Sequence, residues 1–279
     1  MKSPNHNPNS ATLEGIQKRL LQLSLITLFL CLVVLANIAV CLWWYLHPVE
    51  PDRTPVSIFQ QVIEDAISAS ADDISRRLNP VRADNPLLIW RPEPDGAKRW
   101  LKVVSWMSNQ AFNQYYADLV DNPEGGTTPP GTPRIWVTLA PEIQQFCQKL
   151  DLPDPSFRLK QYLGLDPNRS YQRFVELWVQ PEDLFRPCPD PETDDRQCNL
   201  GFEPGVTPRV KNVDDYPAYF QSLETTQYRP DGAPWTRLGY TYDWAYGTRG
   251  IGASEFVMVP EARYLVAGSA STEDYCARH

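Results

Sequence analysis

Between Leu21 and Leu46 the chain runs for 26 residues without a charge, and beyond that point apolar positions return at helical or alternating spacing. About 20 helical residues cross the hydrocarbon core of a bilayer. A soluble helix is seldom apolar on every face for so long. Leu21 to Leu46 is therefore expected to be a single transmembrane helix lodged in the lipid bilayer.

The flanks predict its direction. Lys2, Lys18 and Arg19 precede the segment, whereas Glu50, Asp52 and Arg53 follow it. Lys and Arg are retained on the cytoplasmic side, so residues 1–20 are expected to be a short cytoplasmic tail and the remainder extracytoplasmic. Trp43, Trp44 and Tyr45 fall where the helix leaves the hydrocarbon, as membrane-interface anchors. A cleaved signal peptide has a shorter apolar region and a small-x-small cleavage site, which Asn37 and Ile38 interrupt. A lipid-modified Cys41 would follow Val40 where a small residue is wanted. The expectation is thus an uncleaved signal-anchor, followed by a proline-rich spacer over residues 47–55.

Past the spacer, Val56, Phe59, Ile63, Ile67, Ile74 and Leu78 recur at three, four or seven residues. They predict an amphipathic helix from Val56 to Leu78, with Thr54 as its cap and Pro55 in its first turn. Strands are expected at 98–107, 134–139, 173–179, 235–244, 255–259 and 263–267. Helices are expected at 109–120, 141–150, 155–163 and 214–228, the third capped by Asp154 and stopped by Gly164. Gly247 to Gly252, GTRGIG, reads as a hairpin turn. Residues 188–208 carry turn and acidic residues without periodicity. Helices mixed irregularly with strands predict an α+β domain over residues 56–279, with a mixed, mainly antiparallel sheet packed by several helices.

Composition supports a folded exterior. Seven tryptophans lie beyond the anchor, at Trp90, Trp100, Trp106, Trp136, Trp178, Trp235 and Trp244, and disordered chains rarely hold so many. Proline is abundant, 25 of 27 lying after residue 47, so many rigid turns are expected. The same region holds 23 basic and 33 acidic side chains, a net charge of −10. Nucleic acid is an unsuitable partner for so acidic a surface.

Four cysteines, Cys147, Cys188, Cys198 and Cys276, fall on the expected oxidising side, while Cys31 and Cys41 lie in the anchor. Cys188 and Cys198 bracket the short segment PDPETDDRQ and form the preferred disulfide, which leaves Cys147 for Cys276. Two other connectivities remain formally open. Neither C-x-x-C nor a nearby histidine is present, so zinc is disfavoured. Asp190, Glu192, Asp194 and Asp195 are oxygen ligands in a short run, but they lack the spacing and central glycine of a calcium loop, and a solvated acidic loop is expected. No metal or cofactor is implied.

His6, His47 and His279 lie in the tail, at the interface and at the last position, which removes histidine-dependent nucleophilic systems. Phosphate-binding glycine loops are missing as well. Glu176, Glu182, Asp183, Asp243 and Glu255 form the remaining carboxylate pool. The sequence therefore predicts a bitopic, non-catalytic protein that binds another envelope protein or helps assemble a membrane complex. The alternative is a tethered hydrolase that uses paired carboxylates, for which envelope polysaccharide is a candidate substrate.

Overall fold

In the computed structural model the described residues are 9–46, 54–97, 99–150 and 152–277. The tail to residue 8, the spacer from 47 to 53, the Trp44 and Tyr45 side chains and all three histidines lie outside them. The chain divides into two compact units, residues 1–52 and 53–279.

Among the described residues the first unit contains one helix, α1 (Asn9–Leu46). Its stretch Ser24–Trp43 is long and apolar enough to cross a membrane. The described side chains from Ser24 to Trp43 are all exposed, including Cys31 and Cys41.

The second unit is α+β. Its strands are β1 (Leu101–Met107), β2 (Gly126–Thr127), β3 (Trp136–Leu139), β4 (Arg173–Val179), β5 (Leu184–Phe185), β6 (Tyr240–Asp243), β7 (Gly250–Met258) and β8 (Arg263–Ser271). Its helices are α2 (Pro55–Ile67), α3 (Asn109–Tyr115), α4 (Ala140–Gln148), α5 (Ser156–Tyr162), α6 (Tyr216–Gln227) and α7 (Thr272–Ala277). The sheet runs β2-β8-β4-β1-β3-β7-β5, with β6 also paired to β7. Every strand pairing among the described residues is antiparallel, so the sheet is not mixed. Its two ends, β2 and β5, are two-residue strands that offer little edge for another chain to extend.

Strand alternation assigns the two faces. Val103 pairs with Leu139 and Leu177, and these residues cluster with Phe256 and with Tyr216, Tyr219, Phe220 and Leu223 of α6. On the opposite face Val104, Trp106 and Phe174 cluster with Ile143 of α4, Leu159 of α5 and Tyr275 of α7. Each fully buried Leu or Phe contributes about 1.5–3 kcal/mol of transfer free energy, so both layers matter to stability. Cys147 and Cys276 stand at disulfide distance, Cα atoms 5.3 Å apart, tying α4 to α7 on this second face. Tyr275 adds a hydroxyl donation to the Ala140 carbonyl (2.8 Å).

Three expected elements differ in extent or position for identifiable reasons. The predicted helix from Val56 to Leu78 stops at Ile67, because Ser70 and Asp73 cap a separate 3-10 turn. The Ser70 amide donates to Asp73 Oδ2 (2.7 Å) and the Asp72 amide to Ser70 Oγ (3.3 Å). Leu78 is still buried, but beside Cys188 and Cys198. The apolar stripe of α2 packs within its own unit, Phe59 standing edge-on to Trp244 at 5.7 Å.

The expected strand 235–244 shrinks to β6 because Arg237 and Gly239 take positive φ, 52° and 74°. A Cβ on Gly239 would sit 2.7 Å from Cys198 Sγ, so glycine is required there by space as well as by φ. The hairpin turn occupies 244–249, whereas Gly250 and Gly252 already belong to β7. At Gly252 a Cβ would meet the Tyr162 carbonyl at 2.2 Å, so this glycine serves close packing of β7 on α5. Strands β2 and β5 and helix α7 had no forecast in the pattern.

Candidate ligand cleft

Two places hold some of the acidic residues that the sequence singled out. The first is the disulfide loop. Cys188 and Cys198 are at disulfide distance with Cα atoms 6.2 Å apart, closing ten residues of chain. Such a loop contributes on the order of 2–3 kcal/mol by restricting the unfolded state.

The acidic run does not simply face water. It wraps Arg186, whose side chain is fully buried. The guanidinium binds the Asp195 carboxylate and donates to the carbonyls of Asp195 (2.9 Å), Asn79 (3.2 Å) and Thr193 (3.3 Å). It also lies over the Phe256 ring at 5.6 Å. Burial draws the Arg186 pKa down, and Asp195 opposes that shift. Asp190 accepts from the Asn199 amide (2.6 Å), and burial pushes its carboxyl up to about 6. Cys188, Asp190 and Cys198 place three ligand atoms within 4.8 Å of one another, but both sulfurs belong to the disulfide. An arginine supplied by the chain itself thus occupies the centre of the acidic loop. Sequence reasoning passed over Arg186 because one basic residue beside Pro187 has no periodicity to betray it.

The second place is a cleft of about 310 Å³ between the segment that follows α5 and the segment that follows α6. Its floor is Trp136 of β3 and Glu255 of β7. One wall follows α5, where Gly164 (φ 65°) turns the chain so that Leu165, Asp166, Arg169 and Tyr171 run along the opening. The other wall follows α6, where the Ala233 amide donates to the Gln227 carbonyl (2.9 Å) and carries Pro234 and Trp235 inward. Tyr242 of β6 completes it.

Glu255 is the chemically unusual group here. Its backbone is fixed, donating to the Gly239 carbonyl (3.0 Å) and standing opposite Thr138 of β3. Its carboxyl makes no ion pair with any described residue. Part of the residue is accessible through the cleft, yet protein packs about the carboxyl, and desolvation alone pushes its pKa up to about 8. The Tyr219 hydroxyl, raised chiefly by burial and further by the Glu255 charge, has no hydrogen-bond partner. The same is true of the Trp235 indole N–H.

The rest of the carboxylate pool is dispersed and mostly neutralised. Glu176 faces Lys102 at 3.6 Å, Asp183 faces Lys211 at 2.6 Å, and Asp243 takes a two-pronged contact from Arg158 at 2.9 and 2.7 Å. Glu182 lines a separate groove of about 420 Å³ beside the disulfide loop. Val104 pairs with both Glu176 and Thr138, and Thr138 with Glu255, so Glu176 and Glu255 share a face three strands apart. At roughly 4.8 Å per strand that is about 14 Å. Paired carboxylates in glycoside hydrolysis stand about 5–9.5 Å apart. Glu142, also raised by burial, receives the Ser254 amide at 3.0 Å in the first turn of α4.

The fold and cleft define a disulfide-bearing α+β domain carried on a chain with one apolar helix long enough to span a bilayer. Comparison with protein-family models, with curated proteins and with solved structures finds no match to this chain.

Proposed function

We propose that the chain is a single-pass membrane protein whose α+β domain stands on the oxidising, extracytoplasmic face and acts by binding an envelope protein partner. Lys18 and Arg19 ahead of the apolar segment, and the two cysteine pairs at disulfide distance beyond it, support this orientation. The observation that carries the non-catalytic reading is the fate of the buried carboxylates: Glu176, Asp183 and Asp243 each have a cation beside them. A carboxylate engaged by Lys or Arg has its oxygens occupied by that partner rather than free to meet a substrate.

A tethered hydrolase keeps one point in its favour, since a carboxyl poised near neutrality, as at Glu255, suits a general acid. It needs a second free carboxylate at working distance, whereas Glu176 stands about 14 Å away across the sheet and Asp166, at the opening of the same cleft, is engaged by Arg169 at 3.6 Å.

In-membrane cross-linking of the full chain followed by mass spectrometry should repeatedly recover one protein neighbour, and the detergent-solubilised chain should leave envelope polysaccharide intact. Turnover of that polysaccharide with no recurring neighbour would replace this reading with the hydrolase.

A further inference from the structure

We propose that the Glu255 cleft is a binding site for a small organic ammonium ion, with the Glu255 carboxylate as its counter-charge and Trp136, Tyr171, Trp235 and Tyr242 as its aromatic walls. This inference does not depend on the membrane orientation or on the partner.

The first argument is the domain's own chemistry. The three carboxylates buried outright, Glu176, Asp183 and Asp243, each have a Lys or Arg within 3.6 Å, and Glu142, enclosed without one, receives the Ser254 amide at 3.0 Å. At Glu255 that cation is missing, and an open cleft of about 310 Å³ stands in its place. An uncompensated carboxylate away from water is unfavourable, and a bound cation removes that penalty. The second argument is the lining. Four aromatic residues around one carboxyl are the arrangement that holds alkylammonium groups, because the ring faces carry negative potential. The volume falls in the range of small-molecule sites and suits a compact ligand.

The charged and titratable surroundings agree. From the segment after α5 come Asp166, Arg169 and Tyr171, from β6 Tyr242, and from α6 Tyr219. Arg169 is engaged with Asp166 at 3.6 Å, and its side chain is 64% exposed, so it sits at the rim and leaves the floor to Glu255. The net charge of −10 beyond residue 47 draws cations toward the domain.

Binding requires ionised Glu255, so cation binding and proton binding compete. Below pH about 8, affinity should rise about tenfold per pH unit and then level off. A neutral polyol that used the protonated carboxyl as donor would show the opposite trend.

The test uses the full chain in a polyoxyethylene detergent, titrated calorimetrically with tetramethylammonium, choline and ethylammonium. N-acetylglucosamine and tert-butanol serve as neutral probes. At least one cation should bind, release a proton (read from buffers of different ionisation heat) and tighten with pH as described. Glu255→Gln, nearly isosteric and neutral, should fold and bind at least tenfold more weakly. Cation binding that is indifferent to pH and to Glu255→Gln, binding of the neutral probes alone, or no binding by any of the three cations would overturn the proposal.

Discussion

Arg186→Ala should lower the stability of the domain by roughly 3–5 kcal/mol, the range for removing one partner of a buried ion pair. The guanidinium is fully enclosed, and its partners include Asp195 and the carbonyls of Asn79 and Thr193. Truncation strands these acceptors and opens a void beneath Phe256. Arg186→Met fills most of the volume and should cost less, because little void opens beneath Phe256; in both variants Asp195, 38% exposed, can rehydrate once released. The loop from Cys188 to Cys198 would then depend on its disulfide alone. Urea unfolding of the two variants checks both numbers. A loss under about 1 kcal/mol for Arg186→Ala would mean that the acidic loop is solvated after all, as its composition first suggested.

The second large effect concerns pH. Folding raises the Glu255 pKa from 4.5 to about 8, so the folded state holds a proton that the unfolded chain has already lost. Stability from this group is full below pH about 4.5 and is lost as pH climbs toward about 8. The complete loss is on the order of 5 kcal/mol, from the size of the shift. Glu255→Gln does not titrate. It should match the wild type at pH 5 and be markedly more stable at pH 9, in the absence of added cations. Asp190, raised to about 6, imposes the same sign in both proteins and cancels in the comparison. Thermal unfolding at the two pH values reads the difference directly. Parallel stability curves would show that Glu255 is hydrated or compensated.

Much of the framework was legible in the chain because it rests on local pattern. Residues 173–179 are β4 at both ends, since alternation, β-branched residues and aromatics coincide there. Asp215 caps α6 through the Ala218 amide (2.9 Å), close to the boundary read from sequence. Gly164 takes the positive φ that its place after an amphipathic segment demands. The pairing Cys188 with Cys198 was readable from spacing, and Cys147 with Cys276 followed by elimination.

What escaped depends on tertiary contacts. The early stop of α2 at Ile67 reflects a rival Ser70–Asp73 cap, while Leu78 keeps the helical spacing by serving another cluster. Strand β6 is cut short at Gly239, whose glycine is dictated by a sulfur 41 residues earlier in the chain. For the cleft, Glu255 was named in a pool of five. Only its lack of an ion pair among the described residues, with Trp136, Tyr171 and Trp235 brought to the same cleft from three separate segments, sets it apart. No spacing rule encodes that convergence.

The central claim is a tethered domain on the oxidising side of a membrane, and the redox state of its cysteines tests it most directly. Cells producing the chain with Cys31 and Cys41 changed to serine would be precipitated in acid and dissolved in denaturant with a maleimide that blocks every free thiol. The chain is then labelled with a second, heavier maleimide, with or without prior reductant. The account predicts no heavy tag without reductant and four with it, at Cys147, Cys188, Cys198 and Cys276. No heavy tag in either case, all four thiols having been free in the cell, would contradict it.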